Sequence, residues 1–464
     1  MQKKNFSCLL IILIFVLTFT GCNKNSPELQ TQGITTADIV YGANGHSSYS
    51  YTDSGFFKLS GSVMAYYDME TNESYVLCAN PGCSHGTERC SAYYTRMNGI
   101  RGLAGYRGGV YAFIFNESAN SYEFTKMNMQ GEEREVLASL EVGNYNPGEW
   151  MIDDINEYVY VGDRVWVCLH KTLIQEKEEA EISITQFAGI DLETGEITVI
   201  GAEEELANGI RYDCEYITED YVILTKSIPK EERLSEAEFY EAYDNGRIAE
   251  NKYCYSGWEY EQLYAAYCAF YYPFYTEKRM EYVVYQIETK EWKVLETEED
   301  PYLSYDEDGL LNGCYSSYMM VGEYDGKIVC QKENWNTGSA EYVLWDIETN
   351  KKETFMDESF IETMMLSRST IGNCVLDGNE LFMCEELEPK GEVRCYAIYL
   401  YHFDTKELEK LYEIDMAQYL KPQGICGDYL VGWINSGNTW AYISIDDFKA
   451  GNMDKIVELW DWGM

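Results

Sequence analysis

The sequence predicts an all-β fold, a seven-bladed β-propeller with a small α-helical insertion; six or eight blades also fit the spacing. Three observations lead there. An apolar stretch runs repeatedly into an acidic residue followed by Thr, a short polar turn and a second apolar stretch, as in Ile190-Asp191-Leu192-Glu193-Thr194-Gly195-Glu196-Ile197-Thr198-Val199-Ile200. Other copies centre on Glu70-Thr71, Glu288-Thr289, Glu348-Thr349 and Asp404-Thr405, and degenerate ones at Gln130-Gly131 and Asp446-Asp447 bring the count to seven. Such repetition marks a tandem array of strand-turn-strand units. Ahead of each copy lies a Gly or Asp turn and an alternating strand, for example Gly109-Val110-Tyr111-Ala112-Phe113 and Asp163-Arg164-Val165-Trp166-Val167, so each unit holds at least three strands with room for a fourth. Successive acidic-Thr turns fall 60, 63, 95, 60, 56 and 42 residues apart. A four-stranded unit of that size cannot cover both its own faces and must stack on neighbours in a ring. A two-sheet sandwich does not need this repetition, and a parallel β-helix has much shorter coils.

From the N-terminus, residues 1–21 read as a lipoprotein signal peptide. Lys3 and Lys4 precede a run from Leu9 to Phe19 that is apolar except for Thr18, the length of a signal-peptide core rather than a membrane span. It ends in Phe19-Thr20-Gly21-Cys22, which resembles the lipobox of bacterial lipoproteins, with Phe19 where that family usually has Leu. The resemblance implies cleavage before Cys22 and lipidation of its thiol; an ordinary signal peptide cut after Gly21 is the alternative. Residues 22–40, with Asn, Lys and Ser, read as a tether. The expected location is the extracytoplasmic face of the cell membrane, held there by a multi-chain lipid anchor.

Composition suits a folded exterior. With 46% hydrophobic and 15% aromatic residues the chain can bury a large core, so a formal charge of −44 does not signal disorder. Loss of Lys3 and Lys4 makes it −46. That field repels phosphate backbones and anionic headgroups, which excludes nucleic acid as a partner class. Of 15 Cys, Cys8 leaves with the signal and Cys22 is lipidated, so 13 remain. An odd number cannot all pair within one chain. Several, such as Cys168, Cys330 and Cys384, sit in apolar strand-like runs where a thiol acts as a small hydrophobe, and together they suggest a poorly oxidising surrounding.

The array occupies residues 41–464, with a strand from the Thr36 to Tyr51 region expected to close the ring. As a whole it resembles the propeller lipoproteins of Gram-positive anaerobes, related in shape to TolB-like and YVTN-type propellers. This resemblance implies an extracytoplasmic ring and little about activity.

Two places break the repeat. The 95-residue interval holds a Tyr-rich insertion at 230–276 within blade four, where Ser235-Glu236-Ala237-Glu238 and Ser256-Gly257-Trp258-Glu259 have the capping-box pattern. They predict helices over about Ser235 to Tyr243 and Trp258 to Tyr272. Between Tyr240 and Tyr285 lie 12 of the chain's 42 Tyr. Trp258, Tyr260, Tyr264 and Tyr271 are candidate ligand-binding residues, since flat rings with a polar tip suit stacking on sugars or peptide side chains. The same rings also suit packing of the two helices on each other. The second break is Cys78-Ala79-Asn80-Pro81-Gly82-Cys83-Ser84-His85-Gly86-Thr87-Glu88-Arg89-Cys90. Cys78, Cys83, His85 and Cys90 could wrap a structural zinc, although the C-x4-C-x-H-x4-C spacing differs from a zinc knuckle. A disulfide within the loop, or three reduced thiols, are the other readings.

No G-x-S-x-G elbow, H-E-x-x-H helix or G-x-x-x-x-G-K-[ST] loop occurs, which argues against a Ser triad or catalytic zinc. No catalytic residue is assigned. Acidic pairs such as Asp153-Asp154 and Asp306-Glu307-Asp308-Gly309 read as solvated turns; the latter lacks the terminal Glu of a calcium loop. The expected function is binding of a protein, peptide or glycan. A carbohydrate-active enzyme with carboxylates converging in the channel, and an envelope assembly scaffold, are the alternatives.

Overall fold

Seven antiparallel sheets, each of four consecutive strands, follow one another along the chain over residues 49–76, 100–141, 150–200, 211–299, 316–356, 375–415 and 421–459, and the third gains a fifth strand from Ile39–Tyr41. They are the seven blades of a β-propeller. The computed structural model describes residues 39–41 and 49–459, except 61–62, 79, 81, 88–89, 94–98, 145, 147, 175–181, 246–259, 261–262, 269–277, 300–303, 306–310, 313–315, 335–338, 357–373, 391–392, 416–418 and 435–438. The signal peptide, Cys22, Trp258, Tyr271 and the Asp306 acidic run lie outside the described residues. No helix among the described residues is long and apolar enough to cross a membrane.

Burial explains why the repeat looks as it does. The second strand of a blade, such as Gly109–Asn116, starts with five buried residues because neighbouring blades cover both its faces. The fourth strand lies at the rim, and Lys351–Met356 is exposed over its first four residues. Each of the seven seams between blades has its own cluster of buried side chains. In the seam between blades three and four, Trp166 stacks on Phe187 at 5.2 Å and 9°. A Cβ on Gly189, its cross-strand partner, would lie 2.7 Å from the indole, so only glycine leaves room for this ring.

The acidic-Thr turns join the third and fourth strands, and their chemistry is local. Asp191, two positions before Glu193, accepts the amides of Glu193 (3.1 Å) and Thr194 (2.8 Å) and the Thr194 hydroxyl (2.9 Å). Asp68 and Asp346 serve their turns alike. Burial works to raise the Asp191 carboxyl; the Thr194 and Glu193 bonds and the Arg164 guanidinium, 3.6 Å away, outweigh it and hold it below its ordinary value. The residue after Thr takes a left-handed φ, 58° at Asn72, 71° at Gly195 and 57° at Lys406. The recurring Glu is exposed, and in the Asp68, Asp191 and Asp346 copies the turn rests on the Asp ahead of it and the permissive residue behind. Asp191→Ala is expected to cost about 1–2 kcal/mol in urea unfolding, and Glu193→Ala less than about 0.5 kcal/mol.

In five of the blades the third-to-fourth connection also docks on the first-to-second turn of the same blade. The amides of Met69, Leu192, Ile287, Phe403 and Ile445 donate to the carbonyls of Ser54, Asp163, Asp220, Asn379 and Asp428 at 2.8–3.0 Å. In an up-and-down blade these two turn sets share one face of the ring, and the second-to-third turns and blade-to-blade connections share the other. One face therefore carries short repeated turns. The opposite face carries the Cys-His loop, the connection with helix Glu203–Ala207, and the Tyr-rich insertion.

Two expectations are corrected. Among the described residues no strand from the Thr36 to Tyr51 region closes the ring: Tyr49–Tyr51 is the first strand of blade one, and Ile39–Tyr41 pairs with Val159–Val161 on the channel edge of blade three. Blade seven is built from its own four strands, so no ladder of strand pairing among the described residues joins blades seven and one. At that seam the Cys426 thiol meets the Thr52 carbonyl, and Gly427, at φ 53°, lies so close that a Cβ would sit 2.0 Å from the Asp53 carbonyl oxygen. The second correction concerns Asp446-Asp447, which lies in helix Ile445–Lys449 rather than a tight turn. Ser444 caps it, accepting the Asp447 amide at 3.1 Å.

Candidate functional sites

The two breaks in the repeat lie on the same face of the ring. The connection from blade one to blade two carries the Cys-His loop. Cys78 follows directly from the last strand of blade one, and turns at Asn80–Cys83 and Thr87–Cys90 fold the chain back, each closed by a backbone bond of 3.0 and 2.9 Å. The Asn80 side chain accepts the Gly82 amide at 3.1 Å. His85 adopts φ 53°, which turns its ring inward, and Nδ1 stands 3.3 Å from Cys90 Sγ. The His85 amide donates to Cys83 Sγ at 3.4 Å. One donor atom each from Cys78, Cys83, His85 and Cys90 fall within 4.8 Å of one another.

All three cysteines are unbonded; Cys78 and Cys90 are buried beside Leu77, Ala92 and Leu103, and Cys83 and His85 are half-buried. Burial, and then the Cys83 and Cys78 thiols, push the Cys90 thiol up to about 12. For Cys78, burial also works upward, but the Asn80 amide, Ser91 and the two neighbouring thiols bring it below its ordinary value.

The insertion joins the second and third strands of blade four. Helix Glu236–Asp244 starts one residue after the expected Ser235, whose side chain accepts the Glu238 amide while Glu238 accepts the Ser235 amide. In the second predicted helix the described residues include a helical turn, Leu263–Ala266. The two pack through Phe239, whose ring lies 4.8 Å from Tyr267 and 5.7 Å from Tyr264. Tyr264 is half-buried in this cluster and donates its hydroxyl to the Leu234 carbonyl at 3.1 Å. Tyr260 is 47% exposed, stacks on Tyr240 at 4.8 Å and donates to Asp244 at 3.0 Å.

Beneath the insertion a cavity of about 370 Å³ opens between blades three and four. Its apolar wall includes Ile182, Ile184, Leu206 and Tyr212, and Cys268 and Arg233 reach it from the insertion. His170, Lys171 and Arg211 line it from the blades, with Asp153 and Asp213. Lys171 is matched by Glu203 at 2.7 Å and Arg211 by Asp213 at 3.5 Å, whereas Arg233 makes no ion pair among the described residues. Linear spacing did not reveal these residues, because they come from two blades and the insertion and no local motif marks them.

On the channel side, the first strand of blade four holds Glu215 at a bulge, where it accepts the Thr225 hydroxyl at 2.6 Å. Burial, against the Thr225 bond and aided by Asp213, raises its carboxyl to about 7. Glu157, on the neighbouring blade at φ 47°, accepts the Cys168 thiol at 3.3 Å, and both carboxylates act on Cys214. Asp154, by contrast, is neutralised by Arg101 at 3.0 Å.

No family model matches the chain, and no curated protein matches it. Among solved structures it is similar to the β-propeller domain of the Trilobed protease from Pyrococcus furiosus, at TM-score 0.43 and 7% identity over 93% of this chain and 97% of that one. Oligogalacturonate lyase in complex with manganese gives 0.41 and 9% identity over 88% and 97%. TolB from Acinetobacter baumannii gives 0.30 and 13% identity over 86% and 76%.

Proposed function

We propose that this protein is a lipid-tethered, extracytoplasmic binding platform that holds a peptide or glycan bearing an anionic group beneath the Tyr-rich insertion. The observation that carries this reading is the cavity between blades three and four, where Arg233, which makes no ion pair among the described residues, stands beside an apolar wall. A net charge of −44 does not forbid an acidic ligand. At physiological ionic strength exposed charges more than about 8 Å away are screened, so the groups lining the cavity, Arg211 and Arg233 together with Asp153 and Asp213, set the local field. Rigid loops gathered on one face of a ring are a common setting for such sites.

The tether supports the orientation. Ile39 pairs with Val161, at the end of the strand that leads into the Gly162-Asp163 turn, so the chain meets the ring on the face of short turns. A lipid anchor at Cys22 would then point the opposite face, with the insertion and cavity, away from the membrane.

Envelope extracts passed over the immobilised protein, together with a glycan array, are expected to yield an acidic ligand. The double variant Arg211→Ala/Arg233→Ala should bind it at least tenfold more weakly, since two charge-assisted contacts are each worth about 1.5–3 kcal/mol. Two empty screens, or undiminished binding by the variant, would sink this reading. A protein partner captured without involvement of the cavity would instead favour the scaffold.

Glu215 favours a second reading, hydrolysis or lysis of a glycan in the channel, because a carboxyl poised near neutrality beside another carboxylate suits acid-base work. Loss of turnover in Glu215→Gln would support it, and absence of any turnover on the captured glycan would dispose of it.

A further inference from the structure

The geometry points to a closed tetrahedral zinc site made by Cys78, Cys83, Cys90 and His85, which pins the connection between blades one and two. Four donors from a stretch of 13 residues converge although nothing in the strand pairing brings them together; two tight turns and a left-handed histidine do so. Zinc takes thiolates near 2.3 Å and imidazole near 2.1 Å, so a tetrahedral site sets S···S at about 3.8 Å and S···N at about 3.6 Å. The donors here, all within 4.8 Å of one another with His85 Nδ1 3.3 Å from Cys90 Sγ, need only a small contraction and rotation to reach that geometry.

A disulfide accounts for less. It would use two of the three sulfurs, leave an odd buried or half-buried thiol beside it, and give the imidazole no task. Full use of four protein ligands leaves no open position, so the site is structural rather than catalytic. Binding is a ligand exchange without redox change: Zn²⁺ displaces one proton from each of three thiols and takes the lone pair of neutral His85, and the loaded centre carries a charge of −1.

The loop joins two blades whose seam contains Leu77, Cys78, Cys90 and Ala92 together with Phe57, Leu103 and Val110. Fixing both ends of the loop at one ion holds Cys78 and Cys90 in that seam. This role is independent of any ligand in the cavity between blades three and four.

The test is metal analysis and native mass spectrometry of the purified full chain. One zinc per molecule is expected, lost on denaturation, with three thiols becoming reactive only after chelation. Cobalt taken up in its place should show thiolate-to-cobalt charge-transfer absorption and a tetrahedral d–d band. Cys83→Ser and His85→Ala should each lower zinc affinity at least a hundredfold, while Cys214→Ser, an exposed thiol outside the loop, should keep the full equivalent. Should a variant fail to fold, the wild-type stoichiometry and the cobalt spectrum decide alone. A metal-free chain two hydrogens light, or a metal-free chain with all three thiols freely reactive, would overturn the proposal.

Discussion

Replacement of Tyr442 by Ala opens the ring between blades seven and one, at a cost of about 3–5 kcal/mol, the range for removing a buried aromatic side chain. Tyr442 is buried in the seam, its ring 6.3 Å from Tyr67 and 5.5 Å from Tyr429, and its hydroxyl lies 3.4 Å from both the Tyr67 hydroxyl and the Met69 carbonyl. The packing around it consists of Phe56, Tyr67 and Met69 against Val431, Trp440 and Leu459. No strand crosses this seam, so no ladder of backbone bonds backs up the side chains. The other six seams gain from chain continuity, because consecutive blades are covalently joined and the entropy of bringing them together is small. The closing seam joins blades more than 350 residues apart, and loosening it leaves every blade intact. Hydrogen exchange should therefore report opening in the strands Gly55–Ser60 and Tyr429–Ile434 before global unfolding. Unchanged local protection there, with a uniform loss elsewhere, would show that the seam does not act as the weak point. Tyr442→Phe, which keeps the ring and removes the hydroxyl, should cost only about 1 kcal/mol.

Stability falls as pH rises through neutrality, in part because of Glu215. Its carboxyl goes from an ordinary value of 4.5 to about 7 in the folded chain. The raised folded value means that the native state holds the proton more tightly than the unfolded chain does. The corresponding stabilisation is complete below about pH 4.5 and is lost as pH rises through about 7. A shift of this size corresponds to at most about 3 kcal/mol, reduced by whatever water reaches the bulge. Self-repulsion in so acidic a chain also weakens the fold as pH rises, so wild type alone is ambiguous. The difference between wild type and Glu215→Gln isolates the carboxyl. Urea midpoints at pH 5.5 and pH 8 should converge in the variant, which becomes the more stable protein at pH 8. Parallel slopes for the two proteins would mean that Glu215 is solvated and titrates normally.

Features that depend on neighbours in sequence were readable. The Asp191 turn is closed by bonds spanning two or three residues, and the Ser235 to Glu238 box spans three, so residue types alone specify them. The same reasoning, applied to Ser444 and Asp447, contains the signal that was missed: a cap three residues ahead of an acid, overridden by the expectation of one more strand-turn-strand copy. In the acidic-Thr turns the pattern was seen and its weight misplaced. The Glu and Thr catch the eye, yet the carboxylate that bonds is the Asp two positions earlier, partly hidden in the end of the strand.

Sequence periodicity therefore determined the repeating blade unit of at least three strands, an array of about seven such units and the two departures from the repeat. These follow from alternation of burial and from turns of a few residues, which are properties of short segments. The tertiary structure alone decided that Ile39–Tyr41 lies in the channel rather than in blade seven, that the ring closes by packing, and that Arg211 and Arg233 face a common cavity. Those depend on which distant surfaces meet when seven twisted sheets are arranged in a circle. The Cys-His loop spans both kinds of information. Its residues are close in sequence and could be singled out there, but only the folded turns, with His85 left-handed, bring their donor atoms to one point.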